Sequence, residues 1–346
     1  MTAKTEAAVT RSLDLVFMGT PQYAAVSLRR LLAGPHRVRA VVTRADKARG
    51  RGQELKPSPV KELALEAGIE VLDPASPRTP EFAARLRDIA PDLGVVVAYG
   101  RILPLQVLTI PRYGCINAHG SLLPALRGAA PIERAILAGH TETGVTIMQM
   151  SEGLDEGDMI SARALAIGAQ TTAEELREKM AQLSAQLLVE AVGRFAAGPV
   201  AATPQDNAAA TFAPPLRKEE AALDWSEDAE AVVRRVRAFA PRPGAFTFDG
   251  NTRLKVLEAK VAEAGASPDA AGTVLADGAA HGGLLVTCGR GVVELVSVQP
   301  EGRRPMSGSD YRRGRRNADT QRRLGSSPCA DASGAAETTG RPNASL

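Results

Sequence analysis

Short apolar runs alternate with apolar residues at helical spacing in the first half of the chain. Four runs have the length of a strand: residues 13–18, 38–43, 93–98 and 145–150. Between the first two runs, Thr20 is placed as a helix N-cap, Pro21 as the first helical residue, and Leu28, Leu31 and Leu32 recur on one helical face. Strand, helix and strand in this order predict an N-terminal α/β domain with a Rossmann-like parallel sheet.

A long helix is predicted to close this first domain. Thr172 and Glu175 have the spacing of a capping box. One helical face follows, formed by Leu176, Met180, Leu183, Leu187 and Ala191. This first domain is therefore expected to cover residues 12–196, after a disordered leader at 1–11.

The composition changes after this helix. Residues 197–217 are rich in Ala, Pro and Thr and are predicted to form a linker. Residues 254–261, 284–287 and 292–298 then have the pattern of strands between Gly-rich turns, which predicts a small OB-like β-barrel over 218–316. From residue 317 to 346, Ser, Ala, Gly, Thr and Asn dominate, and a disordered tail is expected.

The hydrophobic content and the cysteines indicate in which compartment the protein works. The 346 residues are 44% hydrophobic and 23% charged, and no run of 18 apolar residues predicts a membrane span. The three cysteines form no CxxC pair, so a zinc site of that type is not predicted: Cys115, Cys288 and Cys329. An odd number of cysteines without a disulfide pattern predicts a protein of the reducing cytoplasm. The segment from Arg44 to Lys61 contains six basic and two acidic residues. This basic patch could bind a polyanion, or its side chains could simply be solvated at the surface.

Three polar residues are candidates for chemistry. Asn117 and His119 are two apart, so at the end of a strand they project to the same side. A carboxamide and an imidazole that converge can polarise a carbonyl and stabilise an oxyanion. Asp155 lies in a Gly-flanked loop that could aim its carboxylate at His119. Structural roles for all three stay open, since Asn and His often end strands and Asp and Gly often form turns.

Two other chemistries are less well supported by the sequence. Ser121 lies near His119, but the GxSxG elbow is absent, so a serine nucleophile is not predicted. The turn Gly19-Thr20-Pro21 lacks GxGxxG spacing, so it is interpreted as the connection of a strand–helix–strand unit and not as a dinucleotide site.

The segment from Asn117 to Asp158 resembles the folate-dependent formyltransferases. Their motif is Asn-x-His, a Ser-Leu-Leu-Pro run and a downstream Asp in a Gly-flanked loop, and all three parts occur here in order. The resemblance extends to further motifs, in particular to those of the branch that acts on charged initiator tRNA: Phe-Met-Gly-Thr-Pro at 17–21, Gly-Arg-Gly at 50–52, Pro-Ser-Pro-Val-Lys at 57–61, Val-Val-Val-Ala-Tyr-Gly at 95–100, Gly-Val-Thr-Ile-Met-Gln-Met at 144–150, Lys-Glu-Glu-Ala at 218–221, Asp-Trp-Ser at 224–226, and Arg-Ala-Phe at 237–239 with Pro241.

The resemblance implies both substrates and the residues that hold them. The donor would be 10-formyltetrahydrofolate and the acceptor the α-amino group of methionine on initiator tRNA, with Asn117, His119 and Asp155 catalytic and no metal. Six residues would contact the folate: Ser121, Leu122, Leu123, Pro124, Val97 and Tyr99. Four residues of the basic loop would contact tRNA: Arg51, Lys47, Arg49 and Lys56. The β-barrel would hold the tRNA backbone, and a cytoplasmic monomer is expected.

Two departures from the family pattern are visible. The family usually has an aromatic residue before its Arg-Gly-Ala-Ala-Pro run, and Leu126 stands there instead. The chain after Arg316 does not resemble the family's usual ending. A formyltransferase for a small amine, a hydrolase that uses water as acceptor and a nonenzymatic RNA-binding protein remain as alternatives. The basic loop and the second domain argue against the small-amine enzyme, because a small substrate needs neither, and the three catalytic candidates argue against the nonenzymatic RNA-binding protein.

Overall fold

The structure is a computed structural model that describes residues 11–49, 54–262, 269–275, 283–314 and 323–328. The chain divides into two compact units, with the division between Leu216 and Arg217. None of the described helices has both the length and the apolar character needed to cross a bilayer.

A seven-stranded sheet forms the centre of the first unit. A separate pair of short strands comes between the second and third sheet strands along the chain. The strands are β1 Asp14–Gly19, β2 Arg37–Val42, β3 Lys47–Arg49, β4 Glu54–Lys56, β5 Glu70–Leu72, β6 Leu93–Val97, β7 Cys115–His119, β8 Glu142–Gln149 and β9 Met159–Ala166. The sheet order is β5-β2-β1-β6-β7-β8-β9, and β3 and β4 pair with each other in a separate two-stranded sheet. The first five sheet strands are parallel, which confirms the Rossmann-like prediction, while β8 and β9 add an antiparallel edge. All five residues of β6 are buried, as a uniformly apolar strand covered on both faces requires.

The α-helices in the described residues of this unit are α1 Gln22–Leu32, α2 Pro59–Glu66, α3 Pro80–Ile89, α4 Leu105–Leu108, α5 Pro131–Leu137 and α6 Ala173–Ala197. The capping box of α6 is confirmed: Thr172 Oγ1 accepts from Glu175 N at 3.3 Å, and Thr172 N donates to Glu175 Oε2 at 2.9 Å. The predicted start of α1 is wrong by one residue. Pro21 is the N-cap, and the Thr20 hydroxyl donates instead to the Tyr99 carbonyl at 3.4 Å.

The predicted linker is held against the first unit. Thr203 and Met159 exchange two backbone hydrogen bonds of 2.8 Å, and Phe212 forms a bridge with Arg127. Residues 203–213 therefore belong to the structure of this unit and are not a free connection. Their Ala- and Pro-rich composition lacks a helical or strand period, which is why pattern alone indicated a linker.

An antiparallel sheet organises the second unit. Its strands are β10 Ala245–Asp249, β11 Thr252–Val261, β12 Leu284–Thr287, β13 Val292–Pro300, β14 Met306–Ser307 and β15 Leu324–Gly325, with helices α7 Ala229–Phe239 and α8 Gly308–Arg313. The order is β12-β13-β11-β10-β15, and β14 pairs with β13. Register shifts in β11 near Glu258 bend the sheet. A small curled β domain, a half-barrel, confirms the predicted class of this unit.

The tail predicted from residue 317 contains ordered structure. Leu324 and Gly325 pair with β10, and Leu324 is only 4% exposed. The Thr247 hydroxyl donates to the Gly325 carbonyl at 2.9 Å and accepts from Trp225 Nε1 at 3.0 Å. The expectation of disorder is therefore wrong for residues 323–328, because one buried leucine outweighs the polar composition around it.

A truncation pair tests this edge strand. A chain that ends at Arg316 is expected to melt about 5–10 °C lower than a chain that ends at Pro328, because burial of a leucine side chain contributes about 1.5–3 kcal/mol to a small domain. The measurement is calorimetry on both truncations beside the full chain. Equal melting temperatures for the two truncations would show that the β15 pairing adds nothing to stability.

Candidate active site

The three predicted catalytic residues line one cavity of about 720 Å³. Asn117 and His119 lie at alternate positions of β7, between β6 and β8, so both project from the same face at the end of the strand. Asp155 reaches the same cavity from the loop between β8 and β9. Sequence spacing predicted the first two positions, and the fold brings the third to them.

His119 is held on both sides of its ring. It is 5% exposed, and its Nε2 lies 2.9 Å from the carbonyl oxygen of Leu126. A carbonyl can only accept a hydrogen bond, so Nε2 carries the proton in this contact. The other nitrogen, Nδ1, lies 3.5 Å from Asp155 Oδ2. Nδ1 is therefore the ring nitrogen that shares the cavity with the carboxylate.

The Asp155 carboxylate is fixed by a backbone amide. Its Oδ2 accepts a hydrogen bond of 2.9 Å from the amide of Gly128. Asp155 has φ of +51°, in the left-handed region that is uncommon for residues other than Gly. The loop thus uses an unusual backbone conformation to turn the carboxylate toward His119.

Asn117 is the least constrained of the three. No hydrogen bond joins its carboxamide to any residue in the described parts of the chain, although its backbone is part of β7. The amide group is therefore available to donate to a bound carbonyl oxygen. An amide donor beside an imidazole and a carboxylate can stabilise the oxyanion that forms in acyl-type transfer.

Comparison with known proteins agrees with this geometry. The family description "Formyl transferase" matches residues 13–192, and "Formyl transferase, C-terminal domain" matches residues 215–316. The chain belongs to the formyl transferase family. A curated relative from Methylococcus capsulatus, named methionyl-tRNA formyltransferase, is 46% identical over 86% of this chain and 96% of its own length. A relative of the same name from Ectopseudomonas mendocina is 48% identical over 88% of this chain and 96% of its own length.

The fold of this formyl transferase family member also occurs in a solved structure of low identity. The sugar 3N-formyl transferase WlaRD, crystallised in the presence of dTDP and 5-N-formyl-THF, superimposes with a TM-score of 0.63. The match covers 85% of this chain and all of that one at 15% identity. At this identity the likeness concerns the fold alone.

The predicted folate contacts only partly line the cavity of this formyl transferase. Tyr99 lies in its wall, with its hydroxyl buried and without a hydrogen-bond partner among the residues described. Burial raises the pKa of that hydroxyl, against the opposing charges of Arg101 and Arg44. Val97 is not in the wall, because its neighbours Val96 and Ala98 take the cavity side of the alternating strand end.

The Ser-Leu-Leu-Pro run shapes a loop and contributes no side chain to the cavity wall. Ser121 donates to the carbonyl of Ala125 at 2.5 Å. The Thr146 hydroxyl donates to the Ser121 carbonyl at 2.8 Å and accepts from Leu123 N at 3.1 Å. These bonds position the following residues, so the prediction that Ser121, Leu122, Leu123 and Pro124 contact folate has no support from this wall.

The basic loop of this formyl transferase is a hairpin. β3 pairs with β4, from Lys47 opposite Lys56 to Arg49 opposite Glu54. Arg51 lies outside the described residues, as do the side chains of Lys47 and Arg49, while Lys56 is exposed. The tRNA assignment of these four residues stays a prediction.

The base of the hairpin is anchored by Lys61. Its Nζ lies 2.8 Å from Asp46 Oδ2 and 3.0 Å from Asp73 Oδ2. The hydrogen bonds to these two carboxylates, that to Asp46 first, raise the pKa of Lys61. Ser58 accepts from the Lys61 amide and shares a 2.8 Å hydrogen bond with Thr43. The Pro-Ser-Pro-Val-Lys run therefore fixes the position of the hairpin, and the Lys61 ammonium group forms its ion pairs with carboxylates of the protein itself.

Sequence reasoning missed several residues of the cavity. Tyr23, Ile102, Leu154 and Arg177 lie in the wall, and Arg177 pairs with Glu133 there. Their positions depend on four separate elements and have no shared spacing. No group of three or more His, Cys, Asp and Glu side chains in the described residues is arranged to hold a metal.

Proposed function

We propose that this chain transfers the formyl group of 10-formyltetrahydrofolate to the α-amino group of methionine on initiator tRNA. The observation that carries the proposal is the convergence of Asn117, His119 and Asp155 on one cavity, in a formyl transferase whose relatives carry the name methionyl-tRNA formyltransferase. The proposal includes a cytoplasmic protein that acts as a monomer.

The proposed donor site lies where the parallel strands end. Ligands of open α/β sheets bind at the carboxyl ends of the strands, and the cavity is at those ends of β6 and β7. Val96, Ala98 and Tyr99 supply a mainly apolar wall for a planar pterin ring.

The reaction forms one carbon–nitrogen bond and breaks another. A neutral α-amino group, with a pKa of roughly 7.7–8.0, attacks the formyl carbon, and its nitrogen becomes bonded to that carbon. The carbonyl electron pair moves to oxygen, where the Asn117 amide can donate a hydrogen bond. Nδ1 of His119 can donate a second one when the ring carries a proton on both nitrogens, because Nε2 already donates to Leu126. The bond from carbon to folate N10 then breaks, and N10 takes up the proton that the amine has lost.

Asp155 and His119 handle that proton in the proposal. Because Nε2 of His119 is used by Leu126, only Nδ1 is free to exchange a proton with the substrates. Asp155 Oδ2, 3.5 Å away, stabilises positive charge on the ring or accepts the amine proton through a water molecule. Every step uses side chains of this chain and the two substrates.

Formylation of charged tRNA is the direct test. The purified protein is incubated with 10-formyltetrahydrofolate and methionyl initiator tRNA, and formyl-methionine is measured after release from the tRNA. Parallel reactions offer an amino sugar nucleotide, glycinamide ribotide or water as acceptor. Formylation of a small amine without formylation of tRNA would favour the small-amine enzyme, and formate release without an amine product would favour the hydrolase.

A further inference from the structure

The predicted linker contains a residue that joins the two loops of the active site. The Gln205 side chain makes four hydrogen bonds, the full capacity of a carboxamide. Its Nε2 donates to the carbonyls of Asp155 at 2.9 Å and Gly157 at 2.7 Å. Its Oε1 accepts from Arg127 Nε at 3.0 Å and Nη2 at 2.7 Å. One side chain therefore connects the Asp155 loop to the Arg127 loop.

Both loops that Gln205 joins hold the catalytic groups. Gly128, next to Arg127, donates its amide to the Asp155 carboxylate, and Leu126, before it, accepts from His119. A closed path thus runs from the Asp155 carbonyl through Gln205 and Arg127 to Gly128 and back to the Asp155 carboxylate. Fixing the carbonyl and the carboxylate of one residue leaves it little freedom to rotate.

The backbone of these loops needs such support. Asp155 and Leu126 both have φ in the left-handed region, at +51° and +60°. The strain energy of a residue other than glycine in this conformation is about 1–3 kcal/mol, and the residue stays there only when its surroundings hold it. For Asp155, Gln205 binds the carbonyl of the strained residue itself.

The rest of the segment fixes Gln205 and Arg127. Arg127 is 5% exposed, and its Nη2 also donates to Asn207 Oδ1 at 2.8 Å. Its amide donates to the Thr211 carbonyl at 2.8 Å, and its carbonyl accepts from the Ala213 amide at 2.7 Å. The Leu126 amide donates to the Thr211 hydroxyl at 2.9 Å. Residues 205–213 therefore brace the loop that carries Gly128.

We propose that Gln205 is a positioning residue of the reaction, which acts by holding the Asp155 loop so that the carboxylate faces His119. The inference rests on the proposed role of Asp155 in the transfer. It needs an amide at position 205, because only an amide can donate to two carbonyls and accept from Arg127 at the same time.

Two amide-to-carboxylate replacements test the proposal. Gln205→Glu keeps the acceptor for Arg127 but loses both donors to the Asp155 loop, whereas Asn207→Asp adds the same charge beside the same arginine and removes no bond to that loop. We expect Gln205→Glu to lower kcat by about 10–100-fold, as loss of a supporting contact does, with KM for both substrates within about twofold of wild type. Asn207→Asp is expected to keep wild-type kcat.

The two variants are compared by kcat, by KM for each substrate, by melting temperature and by hydrogen–deuterium exchange. Faster exchange confined to residues 152–158 in Gln205→Glu, together with the kcat loss, supports the proposal. A wild-type kcat in Gln205→Glu, an equal kcat loss in both variants, or a rise of KM in place of the kcat loss would overturn it.

Exchange also separates this inference from the proposed function. If wild-type protein does not formylate charged tRNA, the proposed function fails, and the hold on the loop is judged by exchange alone. Unchanged exchange at residues 152–158 in Gln205→Glu would then overturn it.

Discussion

Replacement of His119, Asn117 or Asp155 by alanine is expected to cut the turnover of tRNA formylation by about 10²–10⁴-fold, the range for loss of an oxyanion donor or an acid–base group. Each variant removes one of the three groups that meet in the cavity. The measurement is kcat with both substrates saturating, beside the melting temperature of each protein.

The structure ranks these three variants as tests. Asn117→Ala is the cleanest, because the Asn117 side chain makes no hydrogen bond within the described residues. His119→Ala also leaves the buried Leu126 carbonyl without its partner, which costs about 1–3 kcal/mol of stability. Asp155→Ala removes the acceptor of the Gly128 amide. A loss of activity in Asn117→Ala without a change in melting temperature therefore isolates the chemistry.

His140→Ala is the matched control for the histidine. His140 is exposed in a turn after α5 and lies outside the cavity wall. It is expected to keep wild-type turnover. Near wild-type turnover in His119→Ala would show that the assigned chemistry is wrong, whatever the other two variants do.

Arg51→Ala is expected to weaken formylation of charged tRNA strongly while folate binding stays unchanged. Arg51 is flanked by Gly50 and Gly52 in the loop whose hairpin base is anchored by Lys61. A guanidinium there suits a phosphate or an unpaired base at the acceptor end of tRNA. Loss of one phosphate contact should reduce the salt dependence of tRNA binding by roughly one counterion unit.

The measurement is tRNA affinity across a series of salt concentrations, with a folate titration of the same proteins. Arg87→Ala is the control, because it removes an equal charge from the exposed face of α3 and should leave both the affinity and its salt dependence near wild type. Equal formylation of tRNA by wild type and Arg51→Ala would contradict the loop assignment and favour a small-amine substrate.

The sequence alone determined the elements with local causes. The central parallel strands β1 and β6 are apolar runs because they are buried on both faces, and β6 was predicted to within one residue for that reason. The α6 capping box depends on two residues three positions apart. The common direction of Asn117 and His119 follows from the two-residue period of a strand, so this part of the site could be predicted from the chain alone.

Only the tertiary structure decided which distant residues meet those two. Several contacts join segments that are far apart in sequence: Asp155 with His119, Asp155 with the Gly128 amide, and Gln205 with both active-site loops. Such contacts depend on how the sheet and its loops pack. The Ser-Leu-Leu-Pro run could be recognised as a motif from the sequence. Only the structure shows that its backbone forms hydrogen bonds with the Thr146 hydroxyl, which hold the loop in place. Leu324 is the plainest case: the composition of the residues around it indicated a disordered tail, but Leu324 and Gly325 pair with the edge of β10 and the leucine side chain is buried. Local periodicity is fixed by neighbouring residues and can be read from the chain, whereas burial and side-chain partners are fixed by the fold.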